Sequence, residues 1–191
     1  MKLVLATHNA HKIEELRRIL NLQLSGLELV GYDGPEPVED GLTFAENALI
    51  KARAAAAHTG SPALADDSGI CVDALGGAPG IHSARYAGTR VDADNLAKLL
   101  EDLGDTGDRA AQFVCAAALV DGDFEHVELG VWPGSVLRSP AGSGGFGYDP
   151  IFRPEGYDVS AAQLSAAEKD SISHRRRAFA AIAPVVLARL A

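Results

Sequence analysis

Two adjacent carboxylates, Asp66 and Asp67, stand in Ala65-Asp66-Asp67-Ser68-Gly69, after a short apolar approach from Pro62 to Ala65. At the end of a strand, neighbouring side chains point to opposite faces. One carboxylate can then address a site while the other braces the turn that Ser68 and Gly69 suggest. Ionised side by side the two repel, which a site tolerates when it holds a cation or meets a developing charge. Metal-assisted phosphate chemistry is what such a pair offers, with a solvated turn as the plain alternative.

Three other segments carry residues of matching chemistry. Thr7-His8-Asn9-Ala10-His11-Lys12 lies between a strand and a helix, where backbone N–H groups attract phosphate and Lys12 adds a full charge. Thr7 and Asn9 offer side-chain hydrogen bonds to phosphate oxygens. The segment lacks the Gly-x-x-x-x-Gly-Lys-Ser/Thr pattern and so is no Walker loop; a polar helix cap with a surface lysine is its other reading. Glu39 and Asp40 precede a helix that carries Glu46, Asn47 and Lys51. Magnesium needs one or two carboxylates besides phosphate and water. Glu39 with Asp67 supplies that set if the loop folds back over the strand end, with Glu46 and Asp66 as substitutes. Acidic residues that merely solvate the surface are the alternative. Ser143 to Pro150 joins a flexible backbone to Phe146, Tyr148 and Asp149, and can stack a planar base on Phe146 or close as a tight turn over its own aromatics. Glu168-Lys169-Asp170 and Ser173-His174-Arg175-Arg176-Arg177 place donors near the start of the last helix. Helical geometry prevents all three arginines from facing one site, so Arg176 and Arg177 read as a solvated face.

Positioning these groups needs a scaffold, and 191 residues fit one domain, 1–191, with ample core. Hydrophobic content of 47% and charged content of 23% are those of a soluble globular protein. A formal net charge of −9 argues against a general nucleic-acid binder but admits a small anionic substrate held by local Lys and Arg. Cys71 and Cys115 lack metal-ligand spacing and read as reduced core residues. The apolar start turns polar by Thr7, too short for a signal peptide, and Phe113 to Val120 is only eight residues, far below a membrane span. A cytoplasmic enzyme with no membrane partner is expected.

The periodicities predict strands at Lys2–Ala6, at about Gly26–Val30 and at Pro62–Ala65, and helices over Ile13–Leu20 and Asp92–Leu103. Thr43 with Glu46 forms a capping-box pattern at the start of a helix running to Ala57. Gly31–Pro37 and Gly76–Gly80 read as loops. Gln112–Val120 and Glu125–Pro133 read as a hairpin turning at Asp121-Gly122. A last helix starts near Ser171, kinked or divided by Pro184. Helices alternating with strands, then a hairpin, give an α/β class with a mixed sheet.

Six segments match a known family in order: Leu5-Ala6-Thr7-x-Asn9-x-x-Lys12, Thr43-Phe44-x-Glu46-Asn47-Ala48-x-x-Lys51-Ala52, Ala65 to Gly69, Gly76-Gly77-Ala78-Pro79-Gly80-Ile81-x-Ser83-Ala84-Arg85-Tyr86, Gly144 to Pro150, and Ser173-His174-Arg175. The chain resembles the inosine triphosphate pyrophosphatase family, whose bacterial dITP/XTP pyrophosphatases clear deaminated purine nucleotides. That resemblance implies an elongated mixed sheet flanked by helices in a Maf-related α/β fold, a homodimer, a requirement for Mg2+, and hydrolysis of ITP, dITP or XTP to the monophosphate and pyrophosphate. It also assigns Thr7, His8, Asn9, Ala10, His11 and Lys12 to the phosphates, and Asp67 as proton acceptor and metal ligand beside Glu39. Ser68, Phe146, Gly147, Tyr148, Asp149, Lys169, His174 and Arg175 would contact the nucleotide, with Glu46, Lys51 and Asp66 in phosphate or supporting roles. The imidazoles of His8, His11 and His82 are expected to be structural or at the surface. A donor such as the Arg175 side chain or a backbone N–H would favour the C6 keto group of hypoxanthine and xanthine over the adenine amine. His8 stands where the family commonly has glycine, and Arg176 stands where glycine often follows His-Arg. The alternatives are a Maf-like pyrophosphatase acting on other nucleotides and a nucleotide-binding protein without turnover.

Overall fold

Strand β1 (Lys2–Leu5) is apolar on both parities, so it needs cover on both faces, and the surrounding elements supply it. The structure, a computed structural model, describes residues 1–20, 24 and 26–190. After β1 come α1 (Ala10–Leu20), β2 (Glu28–Gly31), α2 (Phe44–Thr59), β3 (Ala63–Val72), α3 (Asp92–Leu103), β4 (Ala110–Asp121), β5 (Phe124–Val136), β6 (Phe152–Pro154), α4 (Ala166–Ile172) and α5 (His174–Leu190). The six strands form one sheet in the order β2-β1-β3-β4-β5-β6. Strand β1 runs parallel to β2 and β3, and β5 antiparallel to β6. Neighbours β4 and β5 are joined through Gly122 and Asp123, a connection so short that only an antiparallel pair allows it. This is the mixed α/β sheet that the sequence predicts.

The chain divides into two compact units: Met1–Asp67, Cys115–Gly130 and His174–Ala191 make the first, Ser68–Val114 and Val131–Ser173 the second. In the first unit the strand parity sorts the side chains. Leu3, Leu5, Leu64, Cys115, Ala117 and Leu119 pack with Leu16, Ile19 and Leu20 of α1 and Ala178, Phe179 and Ile182 of α5. The alternate residues, Val4, Ala6, Ala63, Ala65, Ala116 and Ala118, pack with Ala48, Ala52 and Ala55 of α2. The buried residues of α2 in this layer are alanines, with Phe44 and Leu49 packed partly buried beside them. In the second unit Ile70, Val72, Leu99, Leu103, Trp132 and Phe152 form a separate core, with the Phe113 and Phe152 rings edge to face at 4.6 Å.

Several local expectations change. Strand β3 does not stop before a Ser-Gly turn; it continues through Asp66, Asp67, Ser68 and Gly69 to Val72. Gly69 is needed there for close approach, since a Cβ would lie 2.4 Å from both the Gly80 carbonyl oxygen and Ser83 Oγ. Helix α1 starts at Ala10, so His11 and Lys12 belong to its first turn and not to a polar connection. At α2, Thr43 Oγ1 accepts the Glu46 N–H at 3.1 Å, but Glu46 Oε2 reaches past the cap to accept the Leu42 N–H at 2.6 Å. The expected last helix is two: α4 begins at Ala166, and Ser173, in extended conformation, separates it from α5. Pro184 does not divide α5, which runs through it to Leu190.

Candidate functional site

Strand parity places the two carboxylates on opposite faces of β3. Asp66 shares the parity of Leu64, which packs with α1 and α5; Asp67 shares that of Ala63 and Ala65, which pack with α2. The basic partners follow. Asp66 Oδ2 accepts Lys12 Nζ of α1 at 2.9 Å and the Arg175 guanidinium of α5 through Nε at 3.4 Å and Nη2 at 3.2 Å. Asp67 Oδ1 accepts Lys51 Nζ of α2 at 3.0 Å, and its Oδ2 lies 3.4 Å from Asn47 Nδ2. The same Lys51 ammonium reaches Glu39 Oε2 at 3.3 Å.

These surroundings give the two acids different protonation behaviour. Burial pushes Asp66 upward, but Lys12, Arg175 and Lys51 outweigh it and hold the carboxyl well below the usual range. Burial dominates at Asp67 and raises it, with Lys51 and Lys12 offsetting only part. Lys51 is itself raised: burial lowers it, and Asp67, Asp66 and Glu39 more than compensate. One acid is thus a fixed counter-ion, and the other is a carboxylate with appetite for a proton or a cation.

The Asp66 shift has a sign that can be tested. Its folded-state pKa lies below the ordinary 3.8, so the stability it contributes is present above that value and is lost as pH falls below it. Asp66→Asn is expected to cost about 2 kcal/mol near neutral pH. The gap to the parent should hold steady between about pH 5 and 8 and narrow in more acid solution. Denaturant unfolding at several pH values measures this; a gap that widens on acidification would contradict it.

The segment before α1 is organised as a cap. Thr7 Oγ1 accepts the Asn9 N–H at 3.2 Å and Asn9 Oδ1 accepts the Lys12 N–H at 3.1 Å. His8 turns outward, its Nδ1 3.2 Å from Glu36 Oε1, and its ring lies 5.4 Å from Tyr32. Ala10 and His11 occupy the exposed first turn of α1, the end of a helix that favours anions.

Arg175, expected as a donor to the base, is buried between two carboxylates. Its side chain is 1% exposed, with Nη1 donating to Glu15 Oε2 at 2.6 Å and Nε and Nη2 directed at Asp66. Its neighbour His174 is buried too. Gly130 of β5 makes room for this helix start, since a Cβ there would lie 2.1 Å from the His174 carbonyl oxygen.

Within the second unit, Asp149 Oδ2 accepts Lys169 Nζ at 2.5 Å and the Phe146 N–H at 2.9 Å. Lys169 Nζ lies 4.8 Å from the centre of the Phe146 ring, a cation–π distance. Gly145 makes this loop possible, because a Cβ would collide with the Asp149 carboxylate. The Gly147 N–H donates to Asp92 Oδ2 at 2.7 Å, and Tyr148 Oη to the Ser83 carbonyl at 2.8 Å. Ser68 is half-buried on β3.

Two contributors carry no role in the sequence reading. Glu15 is 2% exposed; the signal was a charge at the i−4 position from Ile19 on the apolar face of α1. Asn47 is equally buried, one residue before the alanine face of α2. Glu46, read as a metal substitute or as a phosphate or supporting residue, accepts the Leu42 N–H through Oε2.

Glu39 and Asp67 fit magnesium as a donor set: two hard carboxylates meet on one cationic group, without His or Cys. Among the described residues no group of three or more His, Cys, Asp or Glu gathers as a metal cluster, and magnesium calls for no more than the pair.

The Ham1 family pattern matches residues 3–185 of the chain. The dITP/XTP pyrophosphatase of Leifsonia xyli is 59% identical over 98% of this chain and 96% of its own length. That of Streptomyces coelicolor is 54% identical over 97% and 96%. Among solved structures, a HAM1 protein from Coxiella burnetii superposes with a TM-score of 0.89 at 41% identity, covering 98% of this chain and 99% of that one. A nucleoside-triphosphatase / dITP/XTP pyrophosphatase from Mycobacterium abscessus gives 0.78 at 48% identity, covering 97% and 100%. With a family pattern spanning nearly its whole length and relatives this similar end to end, the chain belongs to the Ham1 family.

Proposed function

We propose that this protein hydrolyses deaminated purine nucleoside triphosphates, dITP, XTP and ITP, to the monophosphate and pyrophosphate. The observation that carries the reading is the meeting of Asp67 and Glu39 on one cationic group beside the Lys12–Asp66 pair. Whole-length identity of 59% to a dITP/XTP pyrophosphatase supports the substrate class. A Maf-like specificity is less favoured, since the curated relatives at 50% identity and above carry the dITP/XTP name.

Magnesium is assigned to Glu39 and Asp67, and when bound there it supplies charge neutralisation on phosphate oxygens and a more acidic water. Asp67 accepts the proton of the water that attacks the α-phosphorus, a role that suits a carboxylate whose affinity for protons burial has raised. Lys12 and the α1 start hold the phosphates, while Lys51 offsets the charge of the departing pyrophosphate. Asp66 keeps Lys12 oriented. Phe146, Gly147, Tyr148, Asp149, Lys169 and Ser68 are assigned to the rest of the nucleotide, Phe146 offering a ring face for a planar base. The homodimer and a cytoplasmic location belong to the same proposal. Two free cysteines suit a reducing compartment, and no helix among the described residues is long and apolar enough to cross a membrane.

The test is incubation with XTP, dITP, ITP, GTP and ATP in magnesium, with pyrophosphate and orthophosphate assayed separately. Pyrophosphate from the first three and little from GTP or ATP is expected. Orthophosphate, or equal turnover of all five, would overturn the reading.

A further inference from the structure

The loop that carries Glu39 is tied to the first turns of α2 at three points. Lys51 Nζ reaches Glu39, the Leu42 N–H donates to Glu46 Oε2, and the Gly41 N–H donates to Asn47 Oδ1 at 2.9 Å. Of these α2 residues, Lys51 and Asn47 also contact Asp67, and Asn47 is the neutral one. Its orientation is settled by chemistry. A backbone N–H can only donate, so the Asn47 atom facing Gly41 is the oxygen, and the NH2 group faces Asp67 Oδ2 at 3.4 Å. The side chain is 2% exposed, which leaves it little freedom to turn. Gly41 completes the fit, since a Cβ there would lie 2.7 Å from Asn47 Oδ1 and 2.7 Å from Glu46 Cβ.

We infer that Asn47 is a positioning residue for the proposed hydrolysis: its amide holds the Gly41 backbone on one side and Asp67 on the other, and so sets the spacing of Glu39 and Asp67. The inference rests on those two carboxylates being the metal-binding pair. Groups that orient metal ligands typically contribute 10–100-fold to affinity or rate. Asn47 acts on the ligand spacing and not on the nucleotide.

The test compares the parent with Asn47→Ala, Asn47→Asp, Gly41→Ala and the Asn47→Ala/Gly41→Ala pair. It reads kcat and KM for XTP, Mn2+ binding by electron paramagnetic resonance without nucleotide, and thermal unfolding as a check on folding. Asn47→Ala is expected to lower kcat and Mn2+ affinity by about 10–100-fold, with KM changed less than about threefold. Gly41→Ala should move both in the same direction, because the added methyl displaces the Asn47 amide. The pair should be no worse than the stronger single change, the non-additivity of two halves of one contact. Asn47→Asp keeps an acceptor for the Gly41 N–H and replaces the donor facing Asp67, so it too should lose rate. A parent-like Asn47→Asp would overturn the two-sided role. Parent-like kcat and Mn2+ binding in a folded Asn47→Ala would overturn the inference while leaving the proposed function standing. A parent that releases no pyrophosphate from XTP would instead overturn the function, with the Mn2+ titrations still deciding the role of Asn47.

Discussion

Asp67→Asn is expected to lower kcat for XTP by about 10³-fold, the middle of the range for loss of a general base, and to leave the fold intact. The two effects have separate causes. The substitution removes the proton acceptor and one of two carboxylates assigned to the metal, so the chemical step loses both. For stability the sign runs the other way. Burial raises the Asp67 pKa above its ordinary 3.8. Stability linked to this group is therefore complete below that value and is lost as pH rises through the folded-state pKa. At neutral pH the ionised side chain works against folding, and an amide of the same shape removes that cost. Lys51 loses its 3.0 Å partner but keeps Glu39 at 3.3 Å. Thermal unfolding at neutral pH should thus give a Tm no lower than the parent's, the pattern of a residue kept for activity at the expense of stability. Pyrophosphate release under saturating XTP measures the other half. A folded variant keeping more than about a tenth of the parent kcat would remove Asp67 as the proton acceptor.

How far the sequence could be read depended on how local the deciding forces are. The bounds of α3, Asp92–Leu103, are those its periodicity predicts, because an amphipathic helix with acidic residues in its first turn declares itself within a few residues. The family was legible from six ordered segments that span most of the chain. The course of β3 was not. Asp-Asp-Ser-Gly reads locally as a turn, since aspartate and glycine disfavour strands. The strand continues because Lys12, 54 residues away, and Arg175, 109 residues away, compensate Asp66. Gly69 continues it because the Gly80 carbonyl must come close. The burial of Arg175 was hidden for a similar reason. Its place beside His174 and Arg176 suggested a donor to the nucleotide, and its partner Glu15 lies 160 residues away. Only the mismatch of a glutamate on an apolar helix face hinted at a buried pair.

Arg175→Ala is expected to destabilise the protein by about 3–5 kcal/mol, the cost of breaking a buried pair by removing one partner. The guanidinium is fully enclosed and bridges two acids, Glu15 of α1 and Asp66 of β3, both nearly without exposure. Asp66 would retain Lys12, whereas the Glu15 carboxylate is held by Arg175 through Oε2, and its buried Oε1 has no hydrogen-bond partner among the described residues. Glu15 would then have to take up a proton or draw water into the core. Two further variants separate charge from packing. Arg175→Lys restores a cation that cannot fork to both acids, and should recover part of the loss. Glu15→Gln combined with Arg175→Met removes both members of the orphaned pair, and should be more stable than Arg175→Ala, since replacing a whole buried pair is far less damaging than halving it. Denaturant unfolding of the four proteins gives the energies, and the XTP-to-ATP rate ratio of each folded variant gives the functional consequence. A guanidinium committed to two interior carboxylates should leave that ratio within about threefold of the parent when the fold is retained. A folded Arg175→Lys protein that loses its preference for the keto purines would mean that Arg175 reads the base, and that its grip on Glu15 and Asp66 serves to aim it.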